Sequence, residues 1–158
     1  MEFEEDSTAS KRMKIAENED PITNKVQFSA LIVDDDPLIR KIHSEVLKSL
    51  GFQTQVAKSG KEAVDLYRAG ANFDIVFMDM QMPVMNGIEA TKELRGMGVS
   101  TKIVGVSSEC SESEIEAFIL AGLDLYYAKP LTDANKIIPL IEDLKNKSVP
   151  NEGPKKTM

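Results

Sequence analysis

Short apolar runs alternate along the chain with longer stretches whose apolar residues recur at helical spacing. The first run, Ala30 to Val33, stops at an aspartate, and so does the third, which ends at Met78. Runs of this length, bounded by polar residues, are typical of buried strands. The pattern therefore predicts five strands, at residues 30–33, 52–57, 74–78, 102–106 and 125–128.

The stretches between these runs predict five helices. The first helix ends at Gly51 and has one apolar face, formed by Leu38, Ile39, Ile42, Val46, Leu47 and Leu50. Two later helices begin with the spacing of a capping box, at residues 59–62 and 111–114. The last helix is expected over about residues 133–145, and Pro139 inside it predicts a kink or a later start.

Strands that alternate with helices form a parallel sheet covered on both faces. Right-handed crossovers restrict such a sheet to a few doubly wound strand orders. In these folds, ligands bind beyond the carboxyl ends of the strands. The residues that follow each strand are therefore the candidates for a functional site.

Polar and charged side chains follow four of the five predicted strands: Asp34 and Asp35, then Asp79, Ser107 and Lys129. Three close carboxylates repel one another unless a cation is present, and hard oxygen ligands in an incomplete shell favour Mg²⁺. A carboxylate can act as a nucleophile toward phosphorus, and a metal, a lysine and a hydroxyl can stabilise the transferring group. Taken one at a time, these residues are more often caps or surface charges. Their joint occurrence at four strand ends predicts a phosphoryl-transfer site.

Composition narrows the class of protein further. The 158 residues carry 19 Lys and Arg against 26 Asp and Glu, a net charge of −7, which disfavours direct binding to nucleic acid. The acidic N-terminus without an apolar segment predicts no signal peptide, and no apolar stretch is long enough to predict a membrane span. A single cysteine, Cys110, predicts a reducing compartment. We therefore expect a cytoplasmic protein without a membrane partner.

The two ends differ from the middle of the chain. Residues 1–27 are polar and charged and predict a disordered arm, and residues 147–158 predict a disordered tail around a domain at 28–146. The basic cluster at residues 11–14 is a weak nuclear-localisation signal, so a nuclear location is a second expectation. With so short a tail after the last helix, we expect no output domain.

The motifs at the strand ends resemble those of a known family, the receiver domains of two-component response regulators. The resemblance covers about residues 28–146 and rests on Val33-Asp34-Asp35, Phe77-Met78-Asp79-Met80-Gln81-Met82-Pro83 with Asn86-Gly87, Val106-Ser107-Ser108 and Tyr126-Tyr127-Ala128-Lys129-Pro130. It implies a flavodoxin-like (βα)5 fold with strand order 2-1-3-4-5. The finer pattern is similar to stand-alone plant regulators of the group called type C.

The resemblance also implies roles for individual residues. Asp79 would be the phosphoacceptor, and Mg²⁺ would be bound by Asp35, Asp79 and the Gln81 backbone carbonyl, with Asp34 acting largely through water. Ser107 and Lys129 would contact the phosphoryl group, and a cis peptide before Pro130 would place the lysine. Ser107 and Tyr126 would form the conformational switch, although Tyr126 is almost as well explained by packing at a strand edge. Gln81 and Glu109 would tune the lifetime of the phosphoryl group.

The resemblance further implies a phosphohistidine donor in a separate protein, either a histidine-phosphotransfer protein or a histidine kinase. The one histidine of this chain, His43, is expected on a helix surface at the edge of the apolar face and not as a donor. The protein would be a phosphoacceptor that promotes its own phosphorylation and dephosphorylation, and not an enzyme in the usual sense. It would modulate or drain a cytokinin-type relay.

Three other classes compete with this interpretation. A pseudo-receiver would keep the fold as a protein-binding module without phosphotransfer, but the complete set of strand-end residues argues against it. A haloacid-dehalogenase-like hydrolase would need Asp-x-Asp, whereas Asp79 is followed by Met80 and Gln81. A nucleotide-binding protein would need a glycine-rich phosphate loop, which the sequence lacks.

Overall fold

The computed structural model of the protein describes residues 27–108 and 110–148. The basic cluster at residues 11–14, Glu109, the predicted N-terminal arm up to residue 26 and the predicted tail from residue 149 lie outside the described residues.

The strands and helices alternate as the sequence pattern predicts. The strands are β1 (Ser29–Val33), β2 (Gln53–Ala57), β3 (Ile75–Asp79), β4 (Lys102–Ser107) and β5 (Leu125–Ala128). The helices are α1 (Pro37–Ser49), α2 (Gly60–Arg68), α3 (Gly87–Gly96), α4 (Glu112–Leu120) and α5 (Ala134–Ser148). Within the described ranges, no helix combines the length and the hydropathy needed to cross a bilayer.

All strand pairs are parallel, and the sheet has the order β2-β1-β3-β4-β5. This confirms the predicted doubly wound fold and its order 2-1-3-4-5. The chain leaves β1 toward β2 on one side and later returns to β3 on the other. The strand order therefore reverses at β1 and β3, and the crevice for a ligand opens beyond their carboxyl ends.

Alternate residues of each strand face opposite sides of the sheet, and each side has its own apolar core. Leu31 and Val33 of β1 belong to a cluster with residues from α2, α3 and α4, including the fully buried Phe118. Ala30 and Ile32 belong to a second cluster with residues from α1 and α5. Both faces of the sheet are therefore covered, and the polar residues at the carboxyl ends of the strands lie outside the two apolar cores.

Three consecutive aspartates precede α1, and they divide between helix capping and the acidic cluster at the strand ends. Asp36 is the N-cap, because its side chain accepts a hydrogen bond from the Leu38 N–H at 2.9 Å, and Pro37 occupies the first turn. Asp36 is therefore the capping residue of α1. Asp34 and Asp35 are thereby left to the strand-end cluster.

The two predicted capping boxes have different outcomes. At α4, Ser111 and Glu114 form the complete reciprocal box. At α2, Ser59 accepts from the Glu62 N–H, but the Glu62 carboxylate accepts from the Lys58 N–H at 2.7 Å and not from Ser59. In the α2 box, the expected bond from the Ser59 N–H to the Glu62 carboxylate is therefore replaced by a bond from the Lys58 N–H.

Pro139 does not delay the start of α5. The helix begins at Ala134 and continues through the proline to Ser148, so the prediction of a later start is wrong. Proline has no N–H and its ring crowds the carbonyl four residues earlier, so the helix loses the bond to the Asn135 carbonyl. The apolar contacts of Ile137 and Leu140, both buried, lie on either side of the proline and keep the helix against the sheet.

The Arg95 guanidinium ties together the chain segments at the amino ends of β4 and β5. Its nitrogen atoms donate at 2.7–3.0 Å to the carbonyls of Val99, Thr101 and Gly122 and to the Asp124 carboxylate. A planar fork with several donors suits this set of acceptors, and a single ammonium cannot reach them all. Arg95 therefore stabilises the fold at the end of the sheet opposite the strand-end cluster.

Arg95→Lys is expected to lower the free energy of unfolding by about 1–3 kcal/mol, because carbonyls that the fork satisfied lose their donors. The measurement is urea unfolding followed by circular dichroism. Arg68→Lys is the matched control, since Arg68 is exposed and forms surface pairs with Glu93 and Asp65, and it should change stability by less than about 0.5 kcal/mol. Equal losses in the two variants would contradict the assigned role of Arg95.

Candidate functional site

Three carboxylates converge at the carboxyl ends of β1 and β3. One oxygen atom from each of Asp34, Asp35 and Asp79 lies within 4.8 Å of the other two. Asp34 and Asp79 are 2% and 3% exposed, whereas Asp35 is open to solvent. Carboxylate oxygens at this spacing suit a hard divalent cation whose remaining ligands are water or substrate oxygens, as Mg²⁺ prefers.

Lys129 reaches this cluster from the end of β5. Its Nζ lies 2.9 Å from Asp34 Oδ2 and 3.2 Å from Asp79 Oδ1, and the lysine side chain is 11% exposed. Burial opposes the charge on the lysine, but the two carboxylates outweigh burial and raise the pKa of Lys129 above its usual range. The ammonium is therefore held in its charged form between two acidic side chains.

The carboxyl group of Asp79 is the acid most perturbed by this environment. Burial, reinforced by the nearby Asp34, raises the pKa of Asp79 to about 6, while Lys129 and the Gln81 N–H act in the opposite direction. At pH 7, a group with this pKa is ionised in about ten molecules for each protonated one. Asp79 is thus a buried carboxylate that is still available as a nucleophile at neutral pH.

Asp34 is fixed in place by contacts on several sides. Its Oδ1 accepts from the Asp36 N–H at 2.9 Å while its Oδ2 accepts from Lys129. Its backbone carbonyl accepts from the Arg40 guanidinium at 2.9 Å, and its N–H donates to the Ala57 carbonyl. Both carboxylate oxygens of Asp34 therefore have a protein donor, in contrast to the open Asp35.

Ser107 and Tyr126 are brought together next to the acidic cluster. Ser107 ends β4 and is fully buried, and its carbonyl accepts from the Lys129 N–H at 3.0 Å. The Tyr126 hydroxyl is hydrogen-bonded to both Ser107 and Cys110. Burial and the contact with Cys110 raise the pKa of Tyr126, so the phenol is neutral at physiological pH. The side chain of Tyr126 thus contacts Ser107 and also packs against the apolar core.

The remaining predicted features fall around the same crevice. Gln81 follows β3, is exposed and directs its backbone N–H to Asp79. The peptide bond between Lys129 and Pro130 is cis, as the family resemblance implies.

The prediction for His43 is wrong in its placement. The sequence pattern puts this residue on the surface of α1, but it is 4% exposed, and its Nε2 accepts from the Leu131 N–H at 2.9 Å. Burial lowers the pKa of His43, with Asp34 opposing and Lys129 reinforcing this effect. The helical period of α1 alone does not reveal this position, because the chain segment after β5 covers this part of α1.

Gly87 also lies at the site, although the sequence pattern does not predict its close contact with β3. Gly87 begins α3 directly against the end of β3, and a Cβ built on it would lie 2.2 Å from the Asp79 carbonyl oxygen. Its N–H donates to the Met80 carbonyl at 2.8 Å. The Asn86-Gly87 pair signals a turn in the sequence, but it does not reveal that the glycine packs against the backbone of Asp79.

This arrangement can perform one kind of chemistry well. Asp79 offers an ionised carboxylate, Lys129 offers a charge that can neutralise an approaching anion, and the three carboxylates fit a divalent cation. A phosphoryl group carries negative charge that a cation and an ammonium stabilise together. The site therefore has the parts for transfer of a phosphoryl group to Asp79.

Comparisons with known proteins identify the family and agree with the fold. The family model described as the response regulator receiver domain matches residues 30–142. Two-component response regulator ARR22 of Arabidopsis thaliana is 49% identical over 122 residues, 76% of this chain and 85% of that protein. Two-component response regulator 24 of Arabidopsis thaliana is 44% identical over 133 residues, 84% of this chain and 94% of that protein.

A solved structure supports the same assignment. The receiver domain of the histidine kinase CKI1 from Arabidopsis thaliana, complexed with Mg²⁺, is 33% identical, with a TM-score of 0.61, over 72% of this chain and 91% of that one. The predicted resemblance to receiver domains, and to plant response regulators in particular, is thereby confirmed. The chain belongs to the family of response regulator receiver domains.

Proposed function

We propose that this protein accepts a phosphoryl group on Asp79 from the phosphohistidine of a separate protein, a histidine-phosphotransfer protein or a histidine kinase. The observation that carries the proposal is the convergence of three carboxylates within 4.8 Å, with Lys129 Nζ between two of them at 2.9 and 3.2 Å. The names of the plant relatives, which are two-component response regulators, support it.

The transfer step follows from the state of Asp79. An oxygen of its ionised carboxylate attacks phosphorus, and the new O–P bond forms as the P–N bond to the donor imidazole breaks. The electron pair of the broken bond stays on the imidazole nitrogen, which takes up a proton. Lys129, already 3.2 Å from Asp79 Oδ1, is placed to contact the phosphoryl oxygens and offset their charge.

The residues present fit Mg²⁺. They offer only hard oxygen ligands, and a single ammonium cannot neutralise three carboxylates. Asp35 and Asp79 would bind the ion, with Asp34, whose oxygens both have protein donors, acting through water and Gln81 contributing its backbone carbonyl. When bound, the ion neutralises charge on the transferring group. The Mg²⁺ in the CKI1 receiver structure supports this assignment.

Ser107 and Tyr126 are the proposed switch. The Ser107 hydroxyl would turn to the phosphoryl group, and Tyr126, which already bonds to it, would occupy the space that the hydroxyl leaves. The net charge of −7 supports a protein partner over direct nucleic-acid binding. We propose a role in a cytokinin-type relay in the cytoplasm, with the nucleus as a second location.

Transfer of label from a phosphorylated histidine-phosphotransfer protein tests the proposal. With Mg²⁺ present, the wild-type protein is expected to become labelled, whereas Asp79→Asn or an excess of chelator should leave label on the donor. Asp65→Asn is the control, because Asp65 is half exposed on α2 and pairs with Lys61, and it should accept label like the wild type.

Three outcomes discriminate between the interpretations. Label on Asp79→Asn, or transfer without metal, would refute the mechanism. No transfer from any of several donors would favour a binding module of the pseudo-receiver kind. Release of inorganic phosphate over many turnovers would indicate a protein that drains the relay, and a long-lived phosphoprotein would indicate one that signals.

A further inference from the structure

The His43 side chain makes a buried hydrogen bond that the proposed chemistry does not use directly. It lies in the middle of α1, and its Nε2 accepts from the Leu131 N–H at 2.9 Å. A ring nitrogen that accepts a hydrogen bond carries no proton, so the imidazole is neutral and its proton is on Nδ1. The bond therefore depends on one specific tautomer of the only histidine in the chain.

This bond joins the two chain segments that carry the opposite charges of the site. Asp34 and Asp35 directly precede the N-cap of α1, the helix on which His43 lies. Leu131 is two residues after Lys129, in the segment between β5 and α5. The two bonded residues are 88 positions apart in the sequence. The histidine thus links the acidic end of the site to the backbone that positions the ammonium.

Among the described contacts, few other hydrogen bonds hold the segment that follows β5. The Lys129 N–H donates to the Ser107 carbonyl at 3.0 Å on one side of the segment. Two residues later, the Leu131 side chain is 4% exposed in the apolar cluster beneath α1 and α5. The Leu131 N–H is consequently buried, and a buried N–H without an acceptor is costly enough to move a loop.

We propose that His43 is a positioning residue for phosphotransfer: it holds the backbone after β5 so that Lys129 Nζ lies between Asp34 and Asp79. The inference rests on the proposed phosphotransfer to Asp79. Without the acceptor, the Leu131 N–H is expected to turn toward water and carry the preceding residues with it. Lys129 would then lose the two short contacts that place its charge at the reacting oxygen.

Two substitutions separate this role from simple filling of the core. His43→Leu places an apolar side chain of similar size at this position but removes the acceptor. His43→Gln places an amide oxygen near the position of Nε2 and can restore the bond to Leu131. A residue that only fills space would be replaced better by leucine than by glutamine, whereas a positioning residue would be replaced better by glutamine.

The experiment compares phosphotransfer and Mg²⁺ affinity in the full chain. With saturating phosphorylated donor, His43→Leu is expected to lower the transfer rate about 10- to 100-fold, as misplacement of a catalytic group by about 1 Å does. His43→Gln should recover most of that rate. The Mg²⁺ affinity of His43→Leu, measured without donor, should be unchanged or tighter, since the three carboxylates remain and the competing ammonium has moved.

Leu94→Ala is the control for a general loss of stability. Leu94 is fully buried on α3 in the other apolar cluster, so this variant loosens the core without touching the segment after β5. At a temperature where each variant is folded, its transfer rate should remain within about threefold of the wild type. A comparable loss of rate in this control would show that the His43→Leu effect is only destabilisation.

The tautomer of His43 gives a test that needs no substitution. Nitrogen-15 NMR of the single imidazole should show an unprotonated Nε2 at neutral pH, and a proton on that atom would overturn the inference even if His43→Leu failed to fold. A folded His43→Leu that transfers at the wild-type rate would overturn it as well. Absence of transfer to the wild type would instead count against the proposed function itself.

Discussion

Asp79→Asn is expected to raise the free energy of unfolding by about 1–3 kcal/mol at pH 7.5 in metal-free buffer, while it removes the phosphoacceptor. Burial raises the pKa of Asp79 to about 6, whereas an aspartate in an unfolded chain titrates near 4. Ionisation of the folded protein is therefore costly by about 1.4 kcal/mol for each unit of that difference. Asparagine has nearly the same shape and does not ionise.

The gain should depend on pH in a defined direction. Between about pH 4 and pH 6, the folded wild type retains a proton that its unfolded chain has lost, so its stability falls as the pH rises through this window. The stability difference between Asp79→Asn and the wild type should thus be near zero at pH 4, grow through the window and level off above pH 6. Urea unfolding of both proteins at several pH values, with a chelator present, measures it.

A control from the same cluster shows whether burial is the cause. Asp35 belongs to the three-carboxylate group but is exposed, so Asp35→Asn should change stability by less than about 0.5 kcal/mol. Equal stabilities of Asp79→Asn and the wild type at pH 7.5 would contradict the raised pKa of Asp79. A gain that persists unchanged at pH 4 would show that the effect does not come from ionisation.

Gly87→Ala is expected to lower the free energy of unfolding by about 3 kcal/mol and to displace Asp79. The added Cβ would lie 2.2 Å from the Asp79 carbonyl oxygen and 2.9 Å from the Met80 Cα. Both are backbone atoms of the buried strand β3 and its end, so no side chain can rotate away to make room. Overpacking of a core typically costs 1–3 kcal/mol, and a contact with rigid backbone lies at the upper end.

Unfolding by guanidinium chloride and the backbone NMR shifts around Asp79 together check this prediction. Gly96→Ala is the control in the same helix, because a Cβ there meets nothing within 4 Å. Alanine is the better helix former, so that variant should be as stable as the wild type or slightly more stable. If Gly87→Ala unfolds at the wild-type midpoint with unchanged shifts at Asp79, the close approach of α3 to β3 is incorrect.

The two expectations share a physical origin. The end of β3 is buried, with Asp79 at 3% exposure, so its environment penalises both an added atom and an added charge. Burial costs folding stability, but it also keeps the carboxylate close to Lys129 in a region where electrostatic interactions are strong. A reactive carboxylate that is held at the expense of stability is a common feature of functional sites.

Local patterns were sufficient for the strands and helices and for the candidate residues at the strand ends, whereas Gln81 and Tyr126 became candidates only through the family resemblance. The bounds of β5 at Leu125–Ala128 and the cap at Asp36 follow from the order of apolar and polar residues nearby. The strand order could be predicted only through the resemblance to a known family, because right-handed crossovers alone leave several orders open. The later start predicted at Pro139 was wrong, because apolar contacts on both sides of the proline outweigh the loss of one helical hydrogen bond.

The sequence by itself determined the alternation of strands and helices and the candidate polar residues that follow four of the five strands, since hydrophobic period and turn chemistry depend on near neighbours. Tertiary structure alone decided which of those polar atoms meet. Lys129 reaches Asp34 across 95 positions, and His43 is buried because the segment after β5 lies over it. Such contacts depend on how elements pack in three dimensions, and this information is absent from the periodicity of any one element.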